Sequence, residues 1–305
     1  MGDRWDRRFR CSRADPPSTV LSFPPLRRSV RRDRVRVALL TIEGTNNDTE
    51  LFVALRAVGV HPEIVHLKQF EGREVPAADR RRLADYHMLL IPGGFAAGDY
   101  VRAGAILAAR IRSAIGPELE EFVRGGHLVG GICNGFQTLT ELGLLPGYPG
   151  GRLGPPQAAL MTNDSGRYEC RPTYLRWEGG RFPPFADLPQ GTVLLTPSGH
   201  AEGKLLLSGD PLAHVRQLSD AGQVLFRWVD PTGAIAGYPW NPNGSPDNVA
   251  GLTSREGNVF GLMPHPERAF FRILHPDWTR GGDPSGFGDG QRFFEGLARY
   301  LERHG

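Results

Sequence analysis

The sequence predicts an α/β fold: a doubly wound, mostly parallel sheet with a nucleophile elbow, followed by short additional β-strands in the C-terminal half. Three observations point there. Apolar runs of six to eight residues alternate with helix-like stretches through the first half of the chain. Some of these runs are apolar enough to be buried on both faces, as strands of a parallel sheet are. Each Gly-rich loop of that half falls directly after an apolar run.

The elements follow in order. "VRVALLTI" (35–42) is the first strand, "EGTNND" (43–48) a polar turn, and "TELFVALRAVGV" (49–60) an amphipathic helix. "PEIVHL" (62–67) and "YHMLLI" (86–91) are the second and third strands. "GPELEEFVRGG" (116–126) is a helix ended by Gly125 and Gly126, and "HLVGGI" (127–132) is the next strand. In an open sheet of this kind ligands bind beyond the carboxyl ends of the strands. The loops "EGTNND", "PGGFAAGDY" (92–100) and "GICNG" (131–135) all fall at such ends. After residue 150 the pattern shifts to β-like runs separated by Gly and Pro: "YLRWE", "TVLLTPSGH", "VLFRWVD" and "NVFGLMPH". No repeat of fixed period is present, and "GYPGGRLGPP" (147–156) reads as a loop rather than a domain linker.

Composition sets the class. At 305 residues with 40% hydrophobic content, the chain has enough apolar side chains for a sizeable core. It has no run of 18 apolar residues and no apolar stretch ahead of a small-residue cleavage site, so a cytoplasmic location without membrane contact is expected. Cys11, Cys133 and Cys170 are odd in number and widely spaced, which argues against a disulfide framework or a zinc site; no metal is expected. Residues 1–36 hold eleven Arg against four Asp, a local +7 that leaves −4 for the remainder. Residues 1–34 therefore read as a basic, disordered arm or a misplaced start, ahead of one domain over 35–305. No nucleic-acid partner is expected.

The chemistry gathers at Cys133. It follows a strand, precedes a helix, and is flanked by Gly131 and Gly135, the layout of a nucleophile elbow in which the tight turn leaves no room for neighbouring Cβ atoms. The helix that follows aims its free N–H groups at the sulfur, favouring thiolate. An ordinary thiol with a pKa of about 8.5 is only about 3% ionised at pH 7, so the corner needs a base as well. "GLMPHPERA" (261–269) offers one: Pro266 pushes His265 into extended backbone, where His265 and Glu267 point to the same side. Cys133, His265 and Glu267 then form a triad, with Glu267 fixing the tautomer of the ring. For the oxyanion hole, the loop Gly93, Gly94, Phe95 after a buried strand supplies an N–H near Gly94, and Asn134 supplies the second. The bland roles are a packed cysteine and a surface turn; the pairing of the two motifs speaks against both. Cys170, in "YECRPTY", alternates within a strand and is expected to be packing.

These segments resemble a known family, the class I (triad) glutamine amidotransferases, and within it the glutaminase subunits of phosphoribosylformylglycinamidine synthase. The resemblance rests on "GICNGFQTLTELGLLPG", "LLIPGGFAAGDYVRAGAI", "NDSGRYECRPTYLRWE", "PSGHAEGK" and "NPNGSPDNVAGLTSREGNVFGLMPHPERA", and runs from about residue 35 to the C-terminus. It implies a flavodoxin-like domain that hydrolyses glutamine to glutamate and ammonia through Cys133, His265 and Glu267. It further implies Gly94 and Asn134 as the oxyanion hole and Gln137 as a substrate contact. The second His-x-Glu, His200 and Glu202 in "PSGHAEGK", is read as a loop near the glutamine pocket or the partner interface, with His200 a substrate-binding residue. The implied partner is an ATP-dependent synthetase subunit, usually joined by a small third protein, that turns formylglycinamide ribonucleotide into the amidine. ATP and Mg are expected on that partner, and no cofactor in this chain.

The sequence also departs from the family. Its first loop commonly reads Pro-Gly-x-Asn-Cys-Asp, whereas Glu43, Gly44, Asn46, Asn47 and Asp48 stand here, which puts a role for the loop in doubt. "ARIRSAIGPELEE" and "FFRILHPDWTRGGDPSGFGDGQ" are longer than short members require. Alternatives are a triad glutaminase serving a GMP, CTP or anthranilate synthetase, a PfpI-like cysteine hydrolase, or a silent scaffold. Asn134, where the PfpI type usually has its histidine, argues against the hydrolase.

Overall fold

The computed structural model describes residues 32–304. The expected basic arm thus lies mostly outside the described residues, but its boundary at 34 is corrected. Arg32–Arg34 form a 3-10 turn, and Arg32 is buried at 7% exposure. Its guanidinium donates to Glu295 at 2.7 Å, Glu302 at 2.8 Å and the Val58 carbonyl at 3.2 Å. Two carboxylates offset the desolvation of the guanidinium and fix this residue to the body.

Eleven strands are described: β1 (Arg36–Thr41), β2 (His61–His66), β3 (Met88–Ile91), β4 (Leu128–Ile132), β5 (Ala158–Thr162), β6 (Glu169–Trp177), β7 (Val193–His200), β8 (Glu202–Leu207), β9 (Val224–Val229), β10 (Val249–Thr253) and β11 (Val259–Leu262). Nine form one sheet in the order β2-β1-β3-β4-β11-β10-β9-β6-β7, and β5 and β8 form a separate ribbon. Pairing is parallel from β2 through β1, β3 and β4 to β11, and antiparallel from β11 to β7. The change of rhythm after residue 150 accompanies the change to antiparallel pairing, with β11 the exception that returns to pair in parallel with β4.

The helices are α1 (Asp48–Ala57), α2 (Leu67–Glu71), α3 (Ala105–Arg124), α4 (Asn134–Glu141), α5 (Pro211–Asp220) and α6 (Gly290–His304). α1 packs with α6, while α3 packs with α2 and α4, which covers the parallel strands with two helical layers. Every residue of β3 and β4 is buried in consequence. A fully buried leucine contributes about 1.5–3 kcal/mol by leaving water, so the unbroken apolar character of these strands follows from burial on both faces.

The four strands expected in the first half are present within about two residues of their expected bounds. The helix expected at 116–126 is the second half of α3. Ile115 leaves helical geometry (φ −138°, ψ 20°) ahead of Pro117, which cannot donate an N–H to the preceding turn. α5 carries its start signal in Asp210, whose carboxylate accepts from the N–H groups of Leu212 and Ala213 at 3.0 and 3.2 Å. The expectation for Cys170 is corrected: Glu169, Thr173, Leu175 and Trp177 take the inner face of β6, so Cys170 falls on the outer face and is exposed.

Candidate active site

Three loops at the carboxyl ends of β1, β3 and β4 meet around a cavity of about 270 Å³. Its lining includes Asn47 from the first loop, Gly94 and Phe95 from the second, and Cys133 from the third. Cys133 sits between β4 and α4 with φ 51°, ψ −106°, a left-handed conformation that a non-glycine residue rarely adopts and that costs about 1–3 kcal/mol. The turn is tightly enclosed, since a Cβ on Gly135 would overlap the Ile91 backbone and one on Gly131 would overlap Gly135. Cys133 N–H donates to Leu262 O at 2.7 Å, so the elbow is tied to β11, the strand that leads to His265.

His265 is 2% exposed and its N–H donates to Pro197 O at 2.8 Å. His265 Nδ1 is 2.5 Å from Glu267 Oε1, the Cys133 sulfur is close enough to act on the same ring, and the thiol donates to Gly199 O at 3.7 Å. Burial by itself lowers the affinity of this ring for a proton. The charges of Glu267 and Cys133, with their hydrogen bonds, outweigh it and raise the pKa to about 10. The backbone route differs from the expected one: His265 is near-extended (φ −110°, ψ 89°), but Pro266 opens a 3-10 turn over Pro266–Ala269, and this turn brings the Glu267 carboxylate back to the ring.

The remaining expected residues converge on the same place. A Cβ on Gly93 would come within 2.6 Å of Asn47 Nδ2 and 2.7 Å of His265 Cε1, so only glycine leaves the ring where it is. Phe95 lines the mouth and is 56% exposed. Asn134 stands at the first position of α4. Its side-chain oxygen accepts from Ala96 N–H at 3.2 Å and its amide donates to Asp99 at 3.0 Å and to Gln137 Oε1 at 3.0 Å, which locks the second loop to the elbow. Gln137 lines the cavity and donates to Glu202 O at 2.5 Å. His200 ends β7 and is therefore a strand residue rather than a loop residue; it is 2% exposed and also lines the cavity.

Several contributors were not legible as site residues. Asn47 is the main one. Its side chain lies 3.2 Å from His265 Nδ1 and its oxygen accepts from Arg268 at 2.5 Å, so the first loop braces the triad although its sequence departs from the family pattern. Asp99 and Tyr168 also line the cavity. The one available signal was position, since Asn47 and Asp99 lie in loops that follow strands. Among the described residues no group of three His, Cys, Asp or Glu side chains is placed to hold a metal ion.

A cysteine at a strained corner, a buried imidazole held by a carboxylate and an adjoining helix N-terminus are together an arrangement capable of acyl transfer. Comparison with known proteins agrees. Residues 34–301 match the model of the CobB/CobQ-like glutamine amidotransferase domain. The chain is 45% identical over 275 residues to phosphoribosylformylglycinamidine synthase subunit PurQ of Archaeoglobus fulgidus, covering 89% of this chain and 99% of that one. It is 41% identical over 262 residues to the subunit of the same name from Picrophilus torridus, covering 86% and 97%. A chain in the structure of PurLQS from Thermotoga maritima superposes with a TM-score of 0.64 at 30% identity, covering 88% of this chain and 99% of that chain. With the elbow, the paired imidazole and these relatives in agreement, the chain belongs to the CobB/CobQ-like glutamine amidotransferases, in the family of the PurQ subunits.

Proposed function

We propose that this chain hydrolyses L-glutamine to glutamate and ammonia at Cys133 and delivers the ammonia to a synthetase subunit. That subunit uses ATP and Mg to convert formylglycinamide ribonucleotide to formylglycinamidine ribonucleotide. The observation that carries the reading is the Cys133–His265–Glu267 chain of contacts on an elbow with left-handed backbone. The Cys133 sulfur attacks the carboxamide carbon, and the oxyanion takes hydrogen bonds from the N–H groups of Gly94 and Asn134. The N–H of Cys133 is already occupied by Leu262, whereas that of Asn134, first in its helix, has no partner in the preceding turn. The imidazolium of His265 gives its proton to the departing nitrogen, ammonia leaves, and a glutamyl thioester remains. Water then adds to the thioester with His265 as base, releasing glutamate and the free thiol. Glu267 holds the ring in place throughout.

The relatives named as synthase subunits and the PurLQS match support a synthetase partner, with a small third subunit completing the assembly. The reading places the reaction in the cytoplasm and the amidotransferase unit from Arg32 to the C-terminal helix, with the basic stretch ahead of it as a separate segment.

The test is Cys133→Ala in the complex with the synthetase. Glutamine-dependent synthesis is abolished while ammonia-dependent synthesis continues; loss of both contradicts the reading. The isolated chain is expected to be a weak glutaminase whose rate rises sharply when the synthetase is added.

A further inference from the structure

A second cavity, of about 400 Å³, has no lining residue in common with the one at Cys133. It is lined by His214 and Leu218 of α5, by Arg255 in the turn from β10 to β11, and by Pro146 beyond α4. Gln223, just ahead of β9, also lines it and is 5% exposed. The orientation of its amide is fixed, because Nε2 donates to Pro146 O at 2.8 Å and to Thr253 O at 3.0 Å. Both hydrogens of that nitrogen are thereby engaged, and Oε1 is left as a pure acceptor. Among the described residues no donor meets Oε1, although the atom is not sealed inside the protein.

Two further groups stand ready beside it. His214 and Leu218 lie one turn apart on the same face of α5. The Nδ1 of His214 is buried without a partner, whereas Nε2 is neither sealed nor bonded among the described residues, so Nε2 is the nitrogen that a ligand can reach. Arg255 is exposed, and only its carbonyl is engaged, accepting from Arg181 at 3.5 Å; its guanidinium has no ion pair or hydrogen bond among the described residues. The lining contains no carboxylate, so nothing there holds an ammonium, and a free amino acid does not fit. An inorganic anion would leave Pro146, Leu207 and Leu218 bare, and the fixed acceptor of Gln223 would repel it. The cavity has the size of a small-molecule site, about 300–1,000 Å³. Its complement is a molecule with an anion at one end and, at the other, a flat, largely apolar body carrying N–H donors.

We infer that this cavity binds a nucleoside monophosphate, with the base against Pro146, Leu207 and Leu218, a base N–H donated to Gln223 Oε1, and the phosphate on Arg255. The site is separate from the one at Cys133 and stands whether or not the chain hydrolyses glutamine. The experiment titrates the full native chain calorimetrically with AMP, GMP, CMP and UMP, and then with the nucleoside of the tightest binder and with inorganic phosphate. One monophosphate is expected to bind saturably, and its nucleoside and phosphate alone at least about tenfold more weakly, the scale of a lost hydrogen bond to a charged group. Arg255→Ala is expected to weaken the monophosphate by about tenfold or more and the nucleoside by less than about threefold. His214→Ala removes a group beside the base, so it is expected to weaken monophosphate and nucleoside alike, by about three- to tenfold, the scale of a neutral hydrogen bond. Thermal unfolding checks that each variant is folded, and the exposed Arg255 can be replaced without disturbing the core. No saturable binding of any of the four at millimolar concentration, phosphate alone binding as tightly as the nucleotide, or an affinity unchanged in Arg255→Ala would each overturn the inference.

Discussion

Two of the chain's three His-x-Glu segments reach the cavity, and their rings meet different neighbours. In His265-x-Glu267 the proline between them starts a 3-10 turn, the carboxylate returns to Nδ1 at 2.5 Å, and the ring holds a proton up to about 10. In His200-x-Glu202 the pair straddles the bend between two strands. The carboxylate of Glu202 turns away to the Ala103 N–H, and Asn243 meets the ring. Burial then has no opposing anion, and with the charge of His265 nearby it lowers the pKa of His200 to about 3. Both rings are buried at 2% exposure and both line one cavity, yet the neighbours of His265 raise its affinity for a proton while the surroundings of His200 lower it. Spacing alone does not assign a histidine its role; the neighbour that reaches the ring does.

The comparison breaks most visibly in the chemistry. His265→Asn is expected to lower kcat for glutamine hydrolysis by about 10³-fold or more, since a positioned acid and base contributes about 10²–10⁴. KM should move far less. A histidine that only packs beside the sulfur would leave kcat within a few fold, and steady-state kinetics on the assembled complex decides between the two. Glu267→Gln is expected to cost less, about 10²-fold in kcat, because the ring remains but loses the anion that orients and charges it; its pH–rate profile should shift toward lower pH. His200→Asn is expected to fall mainly on KM, with kcat within about tenfold. If its kcat loss matched that of His265→Asn, the contrast drawn between the two rings would be wrong.

Much of this was legible in the sequence because the parallel half of the sheet follows simple rules. Strands buried on both faces must be apolar throughout, and the loops at their carboxyl ends must be where ligands bind, so β3, β4, the Cys133 corner and the Gly94 loop were all readable in advance. The antiparallel half was less so. β5, β8 and β10 are short strands, and no local pattern marks them. Asn47 escaped for a related reason. Its contact with His265 spans 218 residues and depends on Arg268 holding its oxygen, a condition that no window of sequence displays. Cys170 was misread because alternation fixes that a strand residue lies on one face, not which face is inner.

The smallest expected effect is on stability, and it separates the two histidines by sign. The folded pKa of His265 lies above the value of about 6.5 for an unfolded histidine, so its contribution is complete below 6.5 and is lost as the pH rises toward 10. The folded pKa of His200 lies below 6.5, so the unfolded chain binds the extra proton, and stability falls as the pH drops from 6.5 toward 3. Each titration has a limiting slope of about 1.4 kcal/mol per pH unit. Urea unfolding at pH 5, 7 and 9 should therefore show a maximum near neutrality. His265→Asn should flatten the alkaline limb and leave the acid limb, while His200→Asn should do the reverse. The interval between pH 7 and 5 keeps the acid limb above the range where ordinary carboxylates titrate, near 4; burial also lowers the pKa of His66 and His127, which leave a residual slope in His200→Asn, so an acid limb as steep as in the native chain would show that the His200 ring carries a proton in the folded state.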